Sequence, residues 1–126
     1  MNKFLKVDNI MFYVKDLVKA ENYYSKVLGL NKVWEDKDRK MMGFQLAQSD
    51  AEIVIHNDDS LPKFDYSFLV ENVVHFCEAY QAGGYKIKEG PMKVRSGMYA
   101  VLEDEDGNGL PIIDLTAFDN KPRFDL

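Results

Sequence analysis

The chain is short of the residues that most chemistry needs. It has one cysteine in 126 residues, Cys77, so no internal disulfide can form and a reducing, cytoplasmic setting is expected. There are two histidines, His56 and His75, and neither HExxH nor CxxC spacing occurs. No apolar run is long enough to span a bilayer. The opening MNKFLKVDNI lacks the continuous apolar stretch of a secretory signal. Basic residues are scattered and the net charge is −5, which leaves no stripe to follow a phosphate backbone. Membrane and nucleic acid are therefore not expected partners. What is present is an ordinary globular composition, 46% apolar and 13% aromatic, in a chain of modal domain size.

The strongest positive signal is an internal echo. NIMFYVKDLVKAENYYSKVL (Asn9–Leu28) returns 56 positions later as DYSFLVENVVHFCEAYQAGG (Asp65–Gly84). Phe12 falls on Phe68, Val14 on Val70, Asp16 on Asn72 and Tyr24 on Tyr80. Later, AEIVIHN (Ala51–Asn57) is answered by GLPIIDL (Gly109–Leu115). Repetition at this spacing is a fold-level clue. It predicts an α+β domain over residues 1–126 built from two tandem βαβββ units, about 5–57 and 64–116, with a cleft between curved mixed sheets.

Local patterns fill in each unit. Ile10, Phe12 and Val14 alternate with Asn9, Met11 and Tyr13, the period of a strand. Asp16 caps a helix whose apolar stripe is Leu17, Ala20, Tyr24, Val27 and Leu28, and Gly29 stops it. Strands are expected near 31–35, 41–47 and 52–56, and NDDSLPK (Asn57–Lys63) connects the halves. In the second copy, Asn72 caps a helix with Val73, Phe76, Tyr80 and Cys77 inward, and Gly83-Gly84 ends it. A short strand at 85–88, a turn at Gly90-Pro91, a strand at 98–103, a turn at Asp106–Gly109 and a last strand at 110–116 follow. Residues 117–126 read as a tail.

Each unit carries one helix on one sheet face, so the opposite face supplies the place for a ligand. Asn9, Met11 and Tyr13 line it in the first copy, and Asp65 and Ser67 in the second. Trp34, Phe44 and Tyr99 are further aromatic candidates, some of them plain core, on which planar ligands could stack; Trp34 reads equally as the lid of the cleft or as a surface aromatic at a dimer contact. His56, at a strand exit beside Asn57-Asp58-Asp59, reads first as a solvated edge residue and second as a polar group of the cleft. Arg95 lies before a cleft strand and reads as a solvated loop arginine or a rim residue for an anionic group. His75 and Cys77 sit on the second helix, exposed and buried respectively, and neither has a neighbouring catalytic partner.

Three segments, VDNIMFYVKDLVKAENYYSKVLGL, FDYSFLVENVVHFCEAYQAGGYKI and YAVLEDEDGNGLPIIDL, resemble the vicinal oxygen chelate superfamily, the glyoxalase, bleomycin-resistance and extradiol-dioxygenase relatives. The strand–Asp–Leu–helix–Tyr–Tyr opening that closes on Leu28-Gly29-Leu30 and the Asp104–Asn108 turn carry the likeness; Glu105 stands where the family usually has proline. The resemblance implies homodimers and, in the enzymes, a divalent metal held by two side chains from each unit. Those positions map onto Asn9, Val54, Asp65 and Pro111. Valine and proline offer no side-chain donor, so no metal and no cofactor are expected. Val54 is then part of the ligand surface. The expected function is metal-independent binding of a small organic molecule, planar or cationic, as in bleomycin-resistance proteins. The alternative is a metal-dependent lyase, isomerase or dioxygenase that recruits Glu52, His56 and Asp65. A third reading is a structural or regulatory module with a collapsed cleft.

Overall fold

A computed structural model describes residues 3–121. Two compact units emerge, residues 8–66 and residues 3–7 with 67–121. Both follow one element order. The first contains β1 (Lys6–Tyr13), α1 (Leu17–Asn22), β2 (Asn31–Asp36), β3 (Met41–Gln45) and β4 (Glu52–His56). The second contains β5 (Phe64–Leu69), α2 (Val73–Ala82), β6 (Lys86–Val94), β7 (Gly97–Glu103) and β8 (Gly109–Ile113). The tandem βαβββ reading of the sequence therefore holds, and the α+β class with it.

Pairing also repeats. In the first unit β4 lies parallel to β1 and antiparallel to β3, and β3 is antiparallel to β2. In the second, β8 lies parallel to β5 and antiparallel to β7, and β7 is antiparallel to β6. Phe12 sits opposite Ile55, and its echo Phe68 opposite Ile112. The last strands are thus related by 57 positions (112 − 55), which makes Val54 the counterpart of Pro111 and Asn57 the counterpart of Asp114.

Each helix covers one face of its sheet. Met42, Phe44 and Ile55 are buried in the first unit, packed by Val14, Leu17, Ala20, Tyr24, Leu30 and Ile53. Val70, Val73, Phe76, Cys77, Ala100, Leu102 and Ile112 form the second core. Asp16 and Asn72 have extended backbones and accept from the amides of Lys19 and His75, which satisfies a free N–H at each helix start. The first helix differs from its expected uniform run to Leu28. It widens into a π turn at Tyr23–Val27, where Ser25 Oγ donates to the Glu21 carbonyl at 2.6 Å and the Leu28 amide reaches back to Tyr23. Gly90-Pro91 is likewise not a turn between strands. It is an irregularity inside the long strand β6, where a side chain on Gly90 would meet the Tyr99 carbonyl at 2.8 Å.

The two strand ends are stapled differently. Asn57 Nδ2 donates to the carbonyls of Val14 (2.7 Å) and Lys15 (3.3 Å) at the entry to α1. Asp114, fully buried, accepts at Oδ2 from the Val73 amide (2.8 Å). Its Oδ1 accepts from the amides of Met98 (2.9 Å) and Thr116 (3.2 Å) and from the Thr116 hydroxyl (2.7 Å). Truncating such an acceptor strands the buried Val73 amide and at once removes the partner of the Met98 and Thr116 donors. Asp114→Ala is expected to lower stability by about 3–5 kcal/mol, read as an earlier urea midpoint at unchanged slope; a loss below about 1 kcal/mol would contradict this role.

Candidate functional site

The side of the first sheet turned away from α1 is set by strand alternation and register. Its central row is Met11, Val54, Gly43 and Trp34, which are successive cross-strand partners. A polar row flanks it on one side, Asn9, Glu52 and Gln45. Tyr13, His56, Met41 and Asp36 form the row on the other side. Asn9, Met11, Tyr13, Trp34, Val54 and His56 thus lie on one face of the sheet.

Trp34 is held there by two features. Its indole N–H donates to Glu52 Oε1 at 2.7 Å, and it is only 4% exposed. It lies so close over Gly43 that a Cβ at that position would come within 2.1 Å of the indole nitrogen. Glycine in a strand interior costs stability and marks a close approach; here the approach is by the only tryptophan in the chain.

Tyr13 closes the opposite row. The Asp59 carboxylate hydrogen-bonded to its phenol, helped by desolvation, raises its ionisation above the ordinary tyrosine range. The ring meets His56 edge-on at 5.7 Å, and the Lys63 ammonium stands 5.7 Å from its centre.

Phe44, His56 and Arg95 are placed otherwise than expected, and the remaining residues are located as follows. Phe44 is fully buried on the α1 side, because alternation along β3 turns Met42 and Phe44 to the core and leaves Met41, Gly43 and Gln45 on the open face. His56 is not a solvated edge residue but fully buried. Its Nδ1 accepts from the Asp58 amide at 3.1 Å, so Nε2 carries the proton and donates to the Pro62 carbonyl at 2.9 Å. Arg95 lies in the β6–β7 turn with its guanidinium 5.2 Å over the Phe118 ring, which is packing rather than free solvation. Ser67 is buried on β5, and Tyr99 is half-buried on β7 between Met92 and Ile113. Asp65 is half-buried near the start of β5. Cys77 is buried in the second core, which pushes its thiol up.

The donor set does not fit the divalent metal that the resemblance implies. Asn9 Nδ2 donates to Asp8 at 2.8 Å, and Val54 and Pro111 are both buried with no side-chain donor. The alternative trio fares no better, because Glu52 holds the Trp34 indole and both nitrogens of His56 are engaged. Among the described residues no three His, Cys, Asp or Glu side chains gather to hold an ion. A separate hollow of about 350 Å³, lined by Asp38–Lys40 and Asn57–Ser60, contains none of the expected site residues.

Glu52 as the partner of Trp34, Gly43 as its seat and Asp59 as the partner of Tyr13 were not visible as a site in the sequence. Gly43 gave a signal, an isolated glycine between Met42 and Phe44 in a strand pattern. Glu52 reads in the sequence only as an alternative metal ligand and Asp59 carries no signal, since both meet their partners through tertiary pairing.

Comparison with known proteins agrees with this geometry. The profile of the Glyoxalase/Bleomycin resistance protein/Dioxygenase superfamily matches residues 6–112, and the chain belongs to that family. A lactoylglutathione lyase of Haemophilus influenzae is 26% identical over 125 residues, covering 87% of this chain and 93% of that protein. Among solved structures, methylmalonyl-CoA epimerase from Mycobacterium tuberculosis superposes with a TM-score of 0.59 at 17% identity, over 86% of this chain and 85% of that one. A glyoxalase/bleomycin resistance protein/dioxygenase superfamily member from Vibrio splendidus gives 0.55 at 12% identity, over 89% and 97%. An extradiol ring-cleaving dioxygenase from B. fuscum gives 0.58 at 23% identity, over 89% of this chain and 33% of that one. Likenesses this distant establish the fold alone. Among the described residues no helix is long and apolar enough to cross a membrane.

Gly43→Ala tests the seat of Trp34. The added methyl is expected to force the indole off Glu52, shifting the emission of the sole tryptophan to longer wavelength and costing about 1–3 kcal/mol. An unchanged spectrum would show that the indole does not rest on that strand.

Proposed function

We propose that this chain binds a small organic molecule on the open sheet face of its first unit without the help of a protein-held metal, as a sequestering protein does. One observation carries this reading: the last-strand position that should hold an ion is the buried Val54, in one row with Met11 and Trp34. The row is apolar and largely buried, and it ends at the Trp34 indole, whose N–H donates to the Glu52 carboxylate. Planar ligands stack on such a surface, and an ammonium or amidinium group gains from the neighbouring carboxylate. The net charge of −5 favours a cationic ligand in the same sense.

A second reading comes from the lactoylglutathione lyase of Haemophilus influenzae. A lyase of that kind, or an isomerase or dioxygenase with a metal centre, needs side-chain donors that Val54 and Pro111 cannot supply. The two readings separate on one preparation. Protein purified without chelator and equilibrated with zinc, nickel, iron or manganese is expected to retain less than about 0.1 ion per chain by elemental analysis. The planar cationic dye proflavine is expected to quench Trp34 emission saturably, and Glu52→Gln to weaken that binding by about tenfold, near 1.4 kcal/mol. Near-stoichiometric metal, or turnover of a thiohemiacetal of glutathione on adding metal, would establish the enzyme instead.

A further inference from the structure

The outer face of the first helix carries more apolar surface than its sequence pattern predicts. That pattern places Val27 and Leu28 inward with Leu17, Ala20 and Tyr24. In the structure Val27 is 65% exposed and Leu28 is exposed with it, beside Tyr23 and, on α1, Val18 at 78%. The π turn is the cause. The amide that closes this helix, Leu30, reaches six residues back to the Tyr24 carbonyl, whereas its counterpart Tyr85 reaches five residues back to Tyr80. One residue is therefore inserted relative to α2, and it carries Val27 and Leu28 past the inward stripe.

Ammonium groups accompany this apolar surface. Lys15, Lys19 and Lys26 are exposed, and none enters an ion pair among the described residues. The acids on the same helix are already in use, Asp16 as its cap and Glu21 as a partner of Lys32. A chain of net charge −5 thus bears a basic, apolar ridge on one helix. The outer face of α2 is its opposite at echo-related positions. Glu71 stands where Lys15 stands, one residue before the cap, and Glu78 stands in place of Asn22. Both are exposed and without an ion pair among the described residues. Val74, the echo of Val18, is exposed between them.

We propose that the outer face of α1 docks on the outer face of α2 in a second copy of this chain, Val18 meeting Val74 and the lysines meeting Glu71 and Glu78. Burial of the exposed valines drives the contact, and the unlike charges at its rim orient it. Each chain bears one face of each kind, so the contact is head-to-tail. Its small extent makes the association weak, and its exposed charges make it sensitive to salt. A lipid surface is disfavoured as the occupant, because an anionic bilayer repels a chain of net charge −5 and has no use for the acids of α2. The inference is independent of ligand binding on the open sheet face.

Sedimentation of the whole chain tests this. Between about 10 µM and about 1 mM protein the average mass is expected to rise above that of the monomer, and the association constant to fall at least about threefold when salt is raised from about 0.05 M to about 0.5 M. Two charge-reversed chains give the decisive reading. Lys15→Glu with Lys19→Glu, and separately Glu71→Lys with Glu78→Lys, should each stay monomeric, their urea midpoints showing that both fold. Mixed in equal amounts they should associate as the unaltered chain does, since each offers the charge that the other's helices need while both remain net negative. A monomeric unaltered chain at the highest concentration, association that persists in either variant alone, or a mixture that stays monomeric would overturn the proposal. So would an unaltered chain that binds phosphatidylserine vesicles through the same lysines without self-association.

Discussion

Asp114 draws together three parts of the second unit that are far apart in sequence. The start of α2 gives it the Val73 amide, the start of β7 gives the Met98 amide, and the segment after β8 gives Thr116 twice. A buried carboxylate would ordinarily be expensive. Here the charge-assisted bonds and the positive end of a helix offset that cost. Its position also constrains its surroundings. Gly97 can carry no side chain because a Cβ would fall onto Asp114 Oδ1, and Ser96 Oγ donates to the Asp114 carbonyl at 2.8 Å. The β6–β7 turn, the entry to α2 and the end of β8 are therefore one hydrogen-bonded assembly, and Ala100, Ile112 and Val73 pack beside it in the core.

The first unit solves the same geometric problem with the opposite polarity. Asn57 reaches the entry to α1, but there it donates to carbonyls instead of accepting from amides. The difference frees the first unit's strand end for other duties. His56 and the segment 57–63 crowd around it, and Tyr13 is held by Asp59 and Lys63. Divergence between the copies is thus concentrated at the helix-entry end of the sheet. The central rows differ in another way: Val54 faces Gly43 and Trp34, whereas Pro111 faces Val101. The central row carries an aromatic ring, Trp34, in the first copy, and Val101 and Glu89 in the second.

Much of the fold was legible because it is written in local chemistry. Asp16 and Asn72 announce the two helix starts, and the alternation in Asn9–Val14 gives the faces of β1 directly. The echo supplied topology that no single element could. Less was legible in the site. Phe44 was assigned to the ligand face because an aromatic in a short apolar run can point either way, and the one-residue choice in MMGFQ follows from packing against Tyr24 and Leu17. His56 looked solvent-facing because the bonds that bury it come from a loop whose shape a sequence does not display. Asp114 drew no notice, since three of its four donors belong to other segments or to backbone. Contacts made by backbone amides leave no mark on residue identity.

The contrast between Asn57 and Asp114 has a consequence for how the chain tolerates change. Exchanging the two residues would leave composition and formal charge untouched. It would nevertheless set carboxylate oxygen against the carbonyls of Val14 and Lys15 in one copy, and an amide N–H against the N–H groups of Val73 or Met98 in the other. Spontaneous deamidation of Asn57 would produce half of that mismatch on its own. The two copies therefore cannot drift back toward identity one residue at a time, and chemical ageing of this single amide would strike the first copy alone.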